Sequence, residues 1–172
     1  MRHVAIKRFG PISEMDIDLD KSLEVFIGPQ ASGKSTFSKV VYFCRKIRDY
    51  FLQYLDRVIS TEFYYTPELY VNFLKYIRRP FLGYFGTTKH MEDFKIRYDY
   101  EKESDRYVTI SLDKDRYAKF IFSNALKEDI CNIFGKWFRI HNISDDLFEI
   151  IRYIVFMGHF PAVPFVLGRL LI

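Results

Sequence analysis

Gly28, four intervening residues, then Gly33-Lys34-Ser35: the stretch "GPQASGKST" gathers at one spacing the residue types best suited to hold phosphate. It matches G-x-x-x-x-G-K-[ST], the Walker A pattern, in full. A loop that turns its backbone N–H groups inward around oxyanions needs glycine where the chain bends sharply or is approached closely. On this reading Gly28, Pro29, Gln30, Ala31, Ser32 and Gly33 wrap the phosphates and Lys34 reaches the β- and γ-phosphates. The Ser35 hydroxyl ligates magnesium, and Thr36 donates to an α-phosphate oxygen. A chance match is expected on the order of 0.01 times in a chain of this size.

No second constellation competes with it. His3, His90, His141 and His159 show no metal-ligand or catalytic spacing, and no Ser-His-Asp or Cys-His arrangement can be argued. Asp113 ends "VTISLD", but the alternation and the turn after it make that a hairpin strand rather than a strand presenting a catalytic acid. Asp145 and Asp146 fall in the first turn of an expected helix, where carboxylates suit the helix dipole without any catalytic role. The two cysteines, Cys44 and Cys131, lie on apolar helix faces and read as buried free thiols of a reducing, cytoplasmic compartment.

The loop has to be presented by a strand before it and a helix after it. Val4, Ile6 and Arg8 alternate with Ala5, Lys7 and Phe9, which predicts a strand; Gly10-Pro11 breaks it, and residues 16–20 alternate as a second. Leu23 to Ile27, shorter and continuously apolar, predicts a buried strand feeding the loop. From Phe37 to Ile59 apolar residues recur at three- and four-residue spacing, an amphipathic helix. Thr66 and Pro67 announce another, which Pro80 is expected to end. Phe94–Tyr100, Val108–Leu112 and Tyr117–Phe122 alternate across the breaks "EKESD" and "DKDR", an antiparallel meander. Leu126, Ile130, Ile133, Phe134 and Trp137 mark a further helix. A last one runs from a Ser144 cap through Leu147, Ile150, Ile151 and Ile154 to Gly158. Tyr54, Tyr64, Tyr65, Tyr70 and Tyr76 sit at helical spacing and read as core rather than as a stacking surface for nucleic acid.

Composition sets the class. The 172 residues suit one domain with a real core, the hydrophobic share of 49% is globular, and 19% aromatic residues promise bulky packing. A net charge of +4 permits anionic partners without demanding them. Arg152, His159, Pro161, Pro164 and Arg169 interrupt the apolar C-terminal stretch, so no membrane span is expected.

The opening "VAIKRFGPISEMDIDLDKSLEVFIGPQASGKST" resembles the N-terminus of ABC-type ATPases of the RecF/SMC-like and OLD-like kind, often labelled AAA-family ATPases. "LGYFGTTKH" and the strand after it resemble a subgroup of them. In that family two antiparallel strands precede the loop, joined by an x-N-F-G-P-I turn that Lys7-Arg8-Phe9-Gly10-Pro11-Ile12 resembles, with Arg8 where Asn often sits. The resemblance implies ATP with Mg2+ as cofactors, a turn that brings Arg8 or Phe9 to the nucleotide (the residues alone read equally well as a solvated charge beside a core aromatic), a head-to-head homodimer in a full-length form, and DNA or a nuclease as partner. It also implies an acidic strand, a signature segment and a switch histidine, none of which is found in this chain.

The expected fold is therefore α/β, a P-loop NTPase with an ABC-ATPase-like N-terminal lobe: antiparallel strands before the loop, a β-meander and several helices. As a single nucleotide-binding domain it divides into strands, loop and first helix (1–60), a helical insertion (61–93), the meander (94–123), and helices with an apolar tail (124–172). The missing acidic strand and the apolar ending suggest the N-terminal portion of a longer ATPase, the alternative being a compact protein whose apolar tail docks as a strand or contacts a partner. Four functions stay open: an ABC-type ATPase part, a vestigial or truncated module that binds without hydrolysis, a P-loop phosphotransferase and, last, a bare interaction protein.

Overall fold

A computed structural model describes residues 2–21, 25–60 and 68–140. Five strands form one antiparallel sheet: β1 His3–Phe9, β2 Ile12–Asp18, β3 Lys95–Glu101, β4 Arg106–Leu112 and β5 Ala118–Phe122, in the order β2-β1-β3-β4-β5. The meander is thus not a separate layer. Its first strand pairs with β1, through Val4 to Tyr98 and Ile6 to Ile96. Three helices complete the described fold, α1 Lys34–Ser60, α2 Glu68–Phe85 and α3 Asn124–Ile140. The chain divides into two compact units, Met1–Cys131 and Asn132–Ile172. In the second, Ile133 and Phe134 of α3 are buried.

Residues paired directly across a ladder share a face, because side chains alternate along each strand. Val4, Ile6, Ile96, Tyr98, Val108, Ile110, Phe120 and Phe122 therefore fall on one face, and all are buried. Aromatic residues of α1 and α2 cover it: Phe43 and Phe81 pack on Phe120, and Phe73 stacks on Phe122 at 6.1 Å. The Tyr100 hydroxyl donates to the Cys44 carbonyl at 2.9 Å. Tyr54 is buried against Phe73 and Tyr76, as expected of a core residue, whereas Tyr70, against Phe122, and Tyr76 are only half-buried. Tyr64 and Tyr65 lie outside the described residues.

Four expectations need correcting. Pro80 does not end α2, which continues to Phe85. The ring removes one helical hydrogen bond, but Phe81 is fully buried among Phe9, Phe43, Phe85 and Phe120, and that packing holds the last turn. Gly86, at φ +76°, is the actual stop, its N–H bonding the Leu82 carbonyl at 2.8 Å. Of the expected strand Leu23 to Ile27, Leu23 and Glu24 lie outside the described residues; residues 25–27 form no strand, and Val25 and Ile27 are 72% and 93% exposed. An apolar run becomes a strand only beside a partner that accepts its hydrogen bonds, and the described sheet closes at β2 and β5 without one. Cys44 is buried as expected, but Cys131 is only half-buried. Burial pushes the pKa of the Cys44 thiol well up.

The fourth concerns Phe9. Strict alternation would point Arg8 into the core and Phe9 out of it. Instead Arg8 takes φ +52°, a conformation costly for a side chain with a Cβ, and stays exposed. The chain rolls over and Phe9 enters the core, 1% exposed, with ring centroids 5.0 Å from Phe85 and 4.7 Å from Phe94. Phe9 is therefore unavailable to a nucleotide. The Ser144-capped helix, Asp145, Asp146, His141 and His159 lie outside the described residues, as do Thr66 and Pro67.

Candidate functional site

The β1–β2 hairpin and the start of α1 meet at the glycine-rich stretch. Phe9 pairs with Ile12 across the two-residue connection Gly10-Pro11. The tip of that connection lies against the loop. A methyl group on Gly33 would stand 2.6 Å from Ile12 Cγ1 and 3.6 Å from Pro11 Cγ, and one on Gly10 would stand 3.7 Å from Thr36 Cγ2. Gly33 also carries φ +91°, where side chains are strained. Both its backbone angle and the absence of space require glycine, so the second glycine of the motif is fixed by the hairpin as much as by any ligand.

Gly33 is buried, while Gly28 to Ser32 and Ser35 are exposed and Lys34 and Thr36 are half-exposed. Lys34 opens α1, and the first helical hydrogen bond runs from Phe37 N–H to the Gly33 carbonyl at 2.8 Å. Phe26 packs on Phe37 at 4.6 Å between centroids and ties the chain entering the loop to the helix leaving it. Ala31 sits at φ +62°, a left-handed bend inside the loop. The Lys34 ammonium turns back into the bend. It donates to the Gly28 carbonyl at 2.6 Å, the Pro29 carbonyl at 2.5 Å and Ser32 Oγ at 3.1 Å.

The electrostatics favour an anion. A helix N-terminus is equivalent to roughly half a positive charge, and the first turn of α1 carries no acidic residue to offset it. Lys34 adds a full charge at the same end, and exposed Arg8 adds another on the hairpin that grips the loop. The expected site residues Gly28 to Thr36 therefore come together at one helix terminus, with Arg8 on the adjoining hairpin.

The acids lie elsewhere. Asp113 follows β4 directly, as expected of a hairpin residue. Its carboxylate accepts from the backbone N–H groups of Asp115 and Tyr117 and stands 3.8 Å from Arg78. Asp129 is held by Arg106 at 2.8 Å. Asp99 takes two nitrogens of Arg97 and also faces His3 Nδ1 at 3.2 Å, while His3 Nε2 meets Asp16 at 2.6 Å. Sequence reasoning missed this cluster, because it depends on the β2-β1-β3 register and no local spacing encodes that. It lies at the end of the sheet opposite the Gly10-Pro11 turn, since His3 pairs with Asp18 and Asp99. Among the described residues no three His, Cys, Asp or Glu side chains could hold a metal ion together.

Fold and loop define an α/β protein in which an antiparallel hairpin grips a glycine-rich bend at the N-terminus of a long helix. Residues 1–155 match the AAA ATPase domain, and the chain belongs to that family, which implies a P-loop NTPase fold and nucleotide as its ligand. No curated protein and no solved structure matches the chain. Among the described residues no helix is long and apolar enough to cross a membrane.

Proposed function

We propose that the Gly28–Ser35 loop binds ATP as its magnesium complex. The observation that carries this reading is Lys34. Its ammonium is folded into the loop and held by carbonyl and hydroxyl oxygens, weak acceptors that the oxygens of a phosphate would replace with charge-assisted bonds. The backbone N–H groups of the loop and the free end of α1 supply the remaining donors. Thr36 adds a hydroxyl for the α-phosphate, and Arg8 reaches the phosphates from the hairpin. The exposed Ser35 hydroxyl, in the first turn of α1, is a hard oxygen donor fit for Mg2+. Magnesium bound there would neutralise phosphate charge.

A second reading, binding without hydrolysis, is favoured by the positions of the acids. Asp99, Asp113 and Asp129 are each engaged away from the loop, so no described carboxylate among them serves an attacking water. Mg-ATP titration by calorimetry, with phosphate release followed in parallel, separates the two. Binding that Lys34→Ala abolishes, with no turnover, supports the second reading; turnover lost in Lys34→Ala supports an ATPase; no binding by the wild type refutes both. The head-to-head dimer and a DNA or nuclease partner rest on the resemblance alone.

A further inference from the structure

Of the oxygens that hold the Lys34 ammonium, those of Gly28 and Pro29 are backbone carbonyls, which no substitution removes. The remaining acceptor is a side chain, Ser32 Oγ at 3.1 Å. An ammonium has three N–H donors, and here each has an acceptor within the loop. In this conformation Lys34 therefore has no donor left for a phosphate oxygen. No carboxylate takes part: among the described residues Lys34 makes no ion pair. The ammonium is held by neutral oxygens alone, which phosphate can outcompete.

The placement of Ser32 is built into the loop. Ala31, immediately before it, bends the chain at φ +62°. Gly28 lies against the hydroxyl, since a methyl group there would stand 3.2 Å from Ser32 Oγ and 3.9 Å from Lys34 Nζ. The first glycine of the motif thus keeps open the space in which Ser32 meets Lys34, much as the second keeps open the space that Ile12 fills. Ser32 is exposed and Lys34 half-exposed, so the contact is reached from solvent and can be exchanged.

We propose that Ser32 is a positioning residue, a latch that holds Lys34 back in the loop and sets how tightly nucleotide binds. This rests on the loop being the ATP site. The ammonium must leave Ser32 Oγ and the two carbonyls before it can hold phosphate oxygens. Measured affinity is then the intrinsic affinity reduced by the fraction of loops in which Lys34 is released. One hydrogen bond from a charged donor at an exposed site shifts that fraction about fivefold. The Ser32 hydroxyl therefore weakens binding, the opposite of what a phosphate ligand at the same position would do.

Calorimetric titration of Mg-ATP onto the wild type, Ser32→Ala and Ser32→Thr tests this. Alongside it, the three proteins without nucleotide are acylated with N-hydroxysuccinimidyl acetate, and the rate at Lys34 is read by peptide mass spectrometry. Lys39, exposed further along α1, is the internal reference. Ser32→Ala binds Mg-ATP about fivefold tighter and acylates at Lys34 about fivefold faster, with Lys39 unchanged. Ser32→Thr keeps the hydroxyl and stays within about twofold of wild type in both measurements. Unchanged or weaker binding by Ser32→Ala overturns the latch and leaves the loop an ATP site. Equal acylation at Lys34, or a Ser32→Thr protein that behaves as Ser32→Ala, overturns it as well. No binding by the wild type removes the ATP site itself and the latch with it.

Discussion

Replacing Gly33 with alanine tests the claim that the hairpin and the loop are one mechanical unit. The new methyl would lie 2.6 Å from Ile12 Cγ1 and 3.5 Å from Ile12 Cδ1. Carbon atoms pack at about 3.5–4.0 Å, so the first of these contacts is about 1 Å too short. Ile12 is 3% exposed and cannot swing into solvent. Overpacking of this kind costs about 1–3 kcal/mol, and a side chain at φ +91° adds about 1–2 kcal/mol. Gly33→Ala is therefore expected to lose about 2–5 kcal/mol in urea unfolding and to weaken Mg-ATP binding. Ile12→Ala removes both clashing carbons but sacrifices a buried side chain, at about 2–5 kcal/mol. In the double variant the clash is gone and the backbone strain stays. The cycle should show the double variant more stable than the sum of the singles by about 1–3 kcal/mol. Strict additivity, or a Gly33→Ala protein as stable as wild type, would refute the contact as the reason for glycine.

Pro80→Ala restores a helical hydrogen bond in α2 and should stabilise by about 2 kcal/mol, the proline penalty less the entropy regained by the unfolded chain. Scanning calorimetry would read this as a rise in Tm of about 5 °C. Ala31→Gly relieves the left-handed bend at φ +62° and, after the unfolded-state cost of glycine, should raise the urea midpoint by the equivalent of about 0.5–1 kcal/mol. Burial opposes charge on His3, but its hydrogen bonds to Asp16 and Asp99 outweigh that and hold its pKa above the ordinary 6.5. A pKa raised by folding stabilises fully below the unfolded value, and that contribution fades as pH climbs through the folded one. Stability should therefore decline from near 6.5 upward, and His3→Phe should flatten that part of the profile; an unchanged slope in equilibrium unfolding would refute the assignment.

What the sequence reveals is what local periodicity encodes. The apolar spacing from Phe37 onward gives α1 within a few residues, and the alternations around Ile96, Val108 and Phe120 give three strands of the sheet. The motif locates the loop. Pairing partners are another matter: nothing in "KIRYDY" says that β3 lies beside β1, so neither the single five-stranded sheet nor the His3–Asp16–Asp99–Arg97 cluster could be read. Pro80 and Val25–Ile27 mislead for one shared reason. A helix propensity and an apolar run are each overruled by tertiary context, in one case by the aromatic neighbours that hold Phe81, in the other by the lack of an adjacent strand among the described residues.

Arg8 connects these levels. Its left-handed angle disobeys the alternation that predicts the strand, and it does so at the residue the family resemblance brings to the nucleotide. The unfavourable φ at Arg8 is the condition for burying Phe9 against Phe81, Phe85 and Phe94. That aromatic anchor fixes the hairpin tip, the tip places Ile12 beneath Gly33, and Gly33 shapes the bend that Lys34 closes. The same roll of the backbone leaves Arg8 exposed on that hairpin. A strained backbone angle is retained where the surrounding structure over-determines it, and here one angle sets both the core contact that positions the loop and the exposure of Arg8 on the hairpin.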